Sequence, residues 1–269
     1  MRFGKNAGHI AVVTGASSGI GKAMARGLAR RGCFVILSGR NTAALERLSE
    51  ELGRDRSTVI TADLSTTEGC VSLFEQARVF SPDILINNAG FGIYGRFAET
   101  DAEREAALID LNVRAMQLLF KLFLEEFERN KRGYILNVGS IAGFMPGPLM
   151  SSYYASKAFV VRQTQGVWLE QLINGSPVKV SVLCPGPVDT NFNSTAGITG
   201  FFRGISAEEC ADAAIKGMEY ELPVIIPSVT AKLIVLGTSL TPALAAGVFA
   251  YAAQKGKKRI DGKGMSDRS

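Results

Sequence analysis

Apolar residues fall into two alternating rhythms along this chain. Short β-branched or apolar runs at Ile10–Thr14, Phe34–Ser38, Thr58–Thr61, Ile84–Asn88, Tyr134–Gly139, Val178–Cys184 and Val224–Ile226 each predict a strand. Between them, Lys22–Arg31, Ala43–Leu52, Glu68–Phe80, Glu103–Asn130 and Tyr153–Asn174 repeat apolar positions every three or four residues, the spacing of one helix face. Regular alternation of the two predicts a doubly wound α/β fold: a seven-stranded parallel sheet with helices on both faces, since parallel neighbours need long right-handed crossovers. Ligands in such sheets bind beyond the carboxyl ends of the strands, where strand order reverses. Chemistry is therefore sought just after each strand.

The composition of the 269 residues, 46% hydrophobic and 20% charged, excludes a disordered chain. Neither an internal repeat nor a proline- or serine-rich linker divides the sequence. It reads as one cofactor- and substrate-binding domain over residues 1–228, followed by an apolar C-terminal extension with a basic tail over 229–269. The net charge of +5 is concentrated there: from Gln254 onward stand Lys255, Lys257, Lys258, Arg259, Lys263 and Arg268 against Asp261 and Asp267. Such a tail either attracts an anionic membrane or is simply solvated. No aromatic stacking residue or recognisable module accompanies it, so nucleic acid is not an expected partner. Cys33, Cys70, Cys184 and Cys210 are widely spaced, which suggests neither a zinc site nor a redox dithiol and fits a reducing cytoplasm. The N-terminus lacks the long apolar run of a signal peptide, so a cytoplasmic location is expected.

Directly after the first strand comes Thr14-Gly15-Ala16-Ser17-Ser18-Gly19-Ile20-Gly21, then a helix. Glycines there allow a tight turn, close backbone approach to a pyrophosphate and close helix–sheet packing, while the helix N-terminus offers free N–H groups. The alternative is an ordinary glycine-rich turn, but strand before and helix after favour a dinucleotide. An NAD-preferring site places a carboxylate about 20 residues further on. None occurs from Lys22 to Leu45; Ser38-Gly39-Arg40 ends the second strand instead. A guanidinium and a hydroxyl at that point suit the 2′-phosphate of NADP(H), with a solvated surface arginine as the bland alternative.

Three more motifs complete a register. Asn87-Asn88-Ala89-Gly90 follows the fourth strand, Ser140 follows the fifth, and Tyr153-Tyr154-Ala155-Ser156-Lys157 lies 13 residues further along. With the glycine motif, these make residues 8–228 resemble the short-chain dehydrogenase/reductase family, whose fold is of the Rossmann type. The resemblance implies catalytic roles for Asn112, Ser140, Tyr153 and Lys157: Tyr153 protonates a carbonyl oxygen, Ser140 orients it, and Asn112 holds a water that relays protons to Lys157. Residues four apart share a helix face, so Lys157, together with the oxidised nicotinamide, is expected to lower the Tyr153 pKa; the resemblance implies that Lys157 also binds the nicotinamide ribose. Taken alone, Asn112 reads equally as a capping or helix-bending residue. The resemblance further implies cofactor contacts from Gly15, Ser17, Ser18, Gly19, Ile20 and Gly21, from Ser38 and Arg40, and from Asp63 and Leu64 on the adenine side. Asn88, Ala89 and Gly90, then Pro185, Gly186, Val188 and Thr190, complete the set. A helix N-cap is the competing reading for Asp63. His9, the single histidine, reads as a packing or surface residue.

Residues expected around the reacting carbon are mostly apolar: Phe91, Ile93, Tyr94, Phe144, Met145, Leu149, Phe192, Phe201 and Phe202, with Arg203 for an acidic tail. A lipophilic ketone, 3-oxoacyl thioester or hydroxysteroid therefore suits the site better than a charged sugar, although any of these residues equally suits a core position. The expected activity is NADPH-dependent carbonyl reduction. Oxidation of a secondary alcohol, or a non-catalytic dinucleotide sensor, are the alternatives. The segment Asn112–Phe127 has more apolar circumference than one sheet face covers, which suggests a partner; the resemblance implies a homodimer or homotetramer through this helix and the one bearing Tyr153, with burial under the C-terminal segment as the alternative. Leu233–Ala253 carries no charged side chain over 21 residues. Three readings stay open for it: packing within the protein or its oligomer, a peripheral membrane contact through 233–259, and a span, which its Gly, Pro and hydroxyl residues disfavour.

Overall fold

In the computed structural model, residues 8–190, 192, 198–199, 204–255 and 258–259 are described. The strands of the main sheet are β1 (Ile10–Thr14), β2 (Phe34–Gly39), β3 (Ser57–Thr61), β4 (Ile84–Asn87), β5 (Tyr134–Val138), β6 (Lys179–Leu183) and β7 (Val224–Ile225). They form one parallel sheet in the order β3-β2-β1-β4-β5-β6-β7, so strand order reverses between β1 and β4. Successive side chains feed opposite faces. Ala11, Val13, Val35 and Leu37 join one core with helices α1 (Gly19–Arg30), α2 (Thr42–Leu52) and α7 (Ala207–Glu219). Val12, Ile36, Leu85 and Ile135 join the other, under α3 (Thr67–Arg78), α5 (Met116–Arg129) and α6 (Ser151–Ile173).

The segment expected as one helix over Glu103–Asn130 is interrupted. α4 (Ala102–Ile109) runs through a π-helical turn, Asp110–Ala115, into α5. One extra residue in a turn leaves three- and four-residue spacing nearly intact, so apolar periodicity does not reveal it. α5 buries Met116, Leu119, Phe120, Phe123 and Phe127 against its own sheet, while Leu118, Leu122 and Leu124 stay half-buried.

Residues after β7 form α8 (Val229–Leu240) and α9 (Ala243–Lys255). α8 packs on the short turn Ile141–Phe144. α9 lays Gly247 against Pro146 and ties Gln254 to Tyr154 and Tyr94. The segment thus sits at the rim of the sheet's carboxyl end rather than over α5. No helix of the described residues is long and apolar enough to cross a membrane. His9 is buried at the opposite end of the sheet, 2.7 Å from Asp83 and edge-on to Tyr134.

Candidate active site

A cavity of about 770 Å³ opens beyond the carboxyl ends of the strands, around the point where strand order reverses. Its floor is the turn between β1 and α1. Gly15 and Gly19 have φ of +64° and +54°, a left-handed backbone that favours glycine. A Cβ on Gly15 would lie 2.8 Å from Asn88 Nδ2; one on Gly21 would lie 2.4 Å from the Gly15 carbonyl oxygen. The first glycine lets the turn approach the end of β4, and the third brings α1 down onto the turn. Gly21 therefore packs and does not line the cavity, whereas Gly15, Ser17, Ser18, Gly19 and Ile20 do.

α1 begins with no side-chain cap from Ser18 and no acidic residue in its first turn, while α2, α3, α4 and α7 are capped by Asn41, Thr66, Asp101 and Ser206. Its first N–H groups and positive dipole end are left for an anion, and the glycine cradle gives a diphosphate room to reach them. These residues fit a dinucleotide. Thr14 braces the turn beside it: its hydroxyl accepts hydrogen bonds from Asn88 N (2.9 Å) and Ala89 N (3.0 Å). The motif reading quoted Thr14 without assigning it this role.

At the far end, Arg40 is exposed on the cavity rim, and its charge helps hold the Asp63 carboxyl below its usual range, after the stronger hydrogen bonds from Ser65 N (3.0 Å) and Ser65 Oγ (2.8 Å). Asp63 and Leu64 line the cavity, and the N-cap of α3 is Thr66, not Asp63. The expectation for Ser38 is corrected. It follows Ile36 onto the opposite face of β2, is fully buried, and its hydroxyl meets no partner among the described residues. Ser17 supplies the hydroxyl at this end instead, with Oγ 3.7 Å from a Cβ placed on Gly39. Asn88, Ala89 and Gly90, and Pro185, Gly186, Val188 and Thr190, line the cavity walls.

Ser140, Tyr153 and Lys157 meet at the centre. The Ser140 hydroxyl hydrogen-bonds that of Tyr153, accepts from Ala142 N (3.1 Å), and lies 3.4 Å from the Pro185 carbonyl oxygen. Lys157 is buried one helical turn along α6, where its ammonium donates to the Val138 carbonyl at 2.7 Å. The expected lowering of the Tyr153 pKa by Lys157 is not found. Burial of the hydroxyl dominates and pushes Tyr153 up to about 12, against the pull of the Ser140 hydrogen bond. The ammonium sits over the phenol ring, 5.8 Å from its centroid, and is itself pushed down to about 8 by burial.

Asn112 is buried in the π-helical turn. Its side chain accepts from Phe91 N (3.0 Å) and donates to Phe91 O (2.9 Å) and Ser156 Oγ (3.1 Å). The amide is thereby occupied in holding the Phe91 loop and α6 together. A Cβ on Gly90 would lie 2.8 Å from Asn112 Oδ1 and 3.7 Å from Lys157 Nζ, so the glycine keeps open the gap between them.

The neighbouring Tyr154 points elsewhere, accepting a 2.7 Å hydrogen bond from Gln254 Nε2. Tyr94, Tyr153, Tyr154 and Phe192 pack around buried Met150, with the Phe192 ring centroid 5.2 Å from that of Tyr153. Met150, and Arg104, Ala107 and Leu111 on one face of α4 and the turn after it, line the cavity without having been singled out in the sequence. Phe144 faces Arg162 and the second core instead. Phe201, Phe202 and Arg203 lie outside the described residues.

A dinucleotide cradle ending at a serine, tyrosine and lysine defines a nicotinamide-dependent oxidoreductase acting between CH–OH and C=O. The comparisons place it further. The short chain dehydrogenase family matches residues 9–199, and this chain belongs to that family. An uncharacterised oxidoreductase of Staphylococcus saprophyticus is 32% identical over 228 residues, covering 83% of this chain and 96% of the relative. A short-chain dehydrogenase of Sphingobium yanoikuyae, solved in complex with NADPH, is 32% identical with a TM-score of 0.78, covering 86% of this chain and 93% of that one. The bulky-bulky ketone specific alcohol dehydrogenase of Comamonas testosteroni is 31% identical with a TM-score of 0.74, covering 86% and 92%.

Proposed function

We propose that this chain uses NADPH to reduce a lipophilic carbonyl compound, a bulky ketone or a 3-oxoacyl thioester, to a secondary alcohol. The observation that carries the reading is Tyr153, its hydroxyl paired with Ser140 and its ring packed with Phe192, Tyr154 and Tyr94 around buried Met150. Gly15, Ser17, Ser18 and Gly19 hold the diphosphate, Arg40 and Ser17 the 2′-phosphate, and Lys157 the nicotinamide ribose. When bound, the cofactor supplies the hydride. Ser140 and Tyr153 orient the carbonyl oxygen, and Tyr153 gives it the proton that completes the alcohol.

The NADPH complex of the Sphingobium relative and the ketone specificity named for the Comamonas relative support the same reading. A homodimer or homotetramer through α5 and α6 belongs to it as well: Phe159, Leu169, Leu172 and Ile173 of α6 stand exposed beside the half-buried leucines of α5. We place the enzyme in the cytoplasm, where its four buried cysteines stay reduced.

Initial rates with NADPH across bulky ketones, 3-oxoacyl thioesters, oxosteroids and charged keto sugars test the substrate class. The highest kcat/KM is expected among the first three, and a charged sugar as best substrate would overturn the reading.

A further inference from the structure

α9 carries its side chains the opposite way from an ordinary surface helix. Its inner face consists of Ala246, Gly247, Ala250 and Gln254, small or polar residues pressed on Pro146 and Tyr154. Its outer face presents Val248 and Phe249, 69% and 60% exposed, beside Ala245 and Ala252. α8 does the same: Leu233 and Leu236, 64% and 59% exposed, lie with Val229 on one outward stripe. A surface helix normally turns its bulky apolar stripe to the core and its charge to water. Two adjacent helices with that order inverted offer a binding surface.

The charge pattern identifies the occupant. Between Glu221 and Asp261 there is no carboxylate, while Lys232, Lys255, Lys257, Lys258 and Arg259 supply five cations. Lys258 and Arg259 continue past α9 into an antiparallel pairing with Ile198 and Thr199. A two-fold contact between copies would bring this cation-rich segment against itself. An anionic surface complements it. Each helix, 12 or 13 residues, is about 18–20 Å long and falls short of the roughly 30 Å of hydrocarbon in a bilayer.

We propose that α8 and α9 dock flat on an anionic lipid bilayer, with Leu233, Leu236, Val248 and Phe249 entering the acyl boundary and the flanking lysines and arginine meeting the head groups. The inner face of α9 is at the same time bonded to Tyr154 and Tyr94, which pack with Tyr153 around Met150. Docking therefore sets the substrate end of the cavity beside the bilayer. Delivery of substrate from the lipid rests on the lipophilic-carbonyl reading above, whereas docking does not.

Flotation of the full-length protein with phosphatidylcholine vesicles, with and without phosphatidylglycerol, tests the docking without any turnover assay. Expected is flotation with the anionic vesicles only, weakened by high salt, and reduced on the order of tenfold or more in Leu236→Glu/Phe249→Glu. Light scattering should give that variant the parental mass. If the parent stays unbound with both vesicles, the proposal is overturned; if the variant loses half its mass, the surface is an interface between copies and the proposal is equally overturned. Should the double variant misfold, Phe249→Trp serves instead. Its emission should be quenched by brominated acyl chains in anionic vesicles, and unquenched emission would contradict docking.

Discussion

The Lys157 ammonium donates a 2.7 Å hydrogen bond to the carbonyl of Val138, the last residue of β5, and lies over the ring of Tyr153 on the same helix. The sheet thus fixes the lysine at the face of the Tyr153 ring. Burial brings the Lys157 pKa from 10.5 down to about 8. Raising the pH through that value removes its charge. The kcat/KM of the NADPH-saturated enzyme should fall about tenfold per pH step above about 8, and Lys157→Arg, charged throughout, should lose that limb at a lower plateau. An unchanged alkaline limb in the arginine variant would assign it to another group. The sign for stability is opposite. The unfolded chain holds this proton up to 10.5 and the folded chain only to about 8, so the lysine's burial cost is relieved as pH rises between them.

Arg40 stands on the rim beside Asp63, with Ser17 facing it across Gly39. A charge-assisted phosphate contact contributes on the order of 1.5–3 kcal/mol, so Arg40→Ala should weaken NADPH binding by roughly 10- to 150-fold and leave NADH nearly unaffected. Fluorescence titration of both cofactors measures this. Tighter NADH than NADPH binding by the parent would contradict the assignment.

Gly21 has no room for a side chain, since a Cβ would lie 2.4 Å from the Gly15 carbonyl oxygen and 2.5 Å from Asn88 Nδ2. Gly21→Ala should cost about 1–3 kcal/mol of stability and loosen the diphosphate turn. The thermal melt of Gly21→Ala should fall accordingly, and an unchanged melt would contradict the close packing of α1 on the turn.

The glycine turn, the end of β4 and the Ser140, Tyr153 and Lys157 register were legible in the sequence because each follows a strand whose apolar run marks its end. Ser38 was misread for a physical reason. β2 is buried on both faces, so its run carries no alternation to say which way the residue points. The π-helical turn that seats Asn112 was hidden because it adds a residue without breaking the apolar spacing. Met150 and Arg104 reach the cavity through the packing of α4 and α6, which no local pattern encodes. The Tyr153 pKa is raised by burial, opposed by the Ser140 hydrogen bond, and shows no lowering from the lysine four residues away.

The most direct test compares single-turnover NADPH oxidation by the parent, Tyr153→Phe and Tyr154→Phe with one bulky ketone. Tyr153→Phe should bind NADPH within a few-fold of the parent yet turn over at least about 100-fold more slowly, the loss typical of a missing general acid. Tyr154→Phe keeps its ring and loses only the bond from Gln254, so its rate should stay within about tenfold of the parent. Near-parental turnover in a folded Tyr153→Phe would contradict Tyr153 as the proton donor.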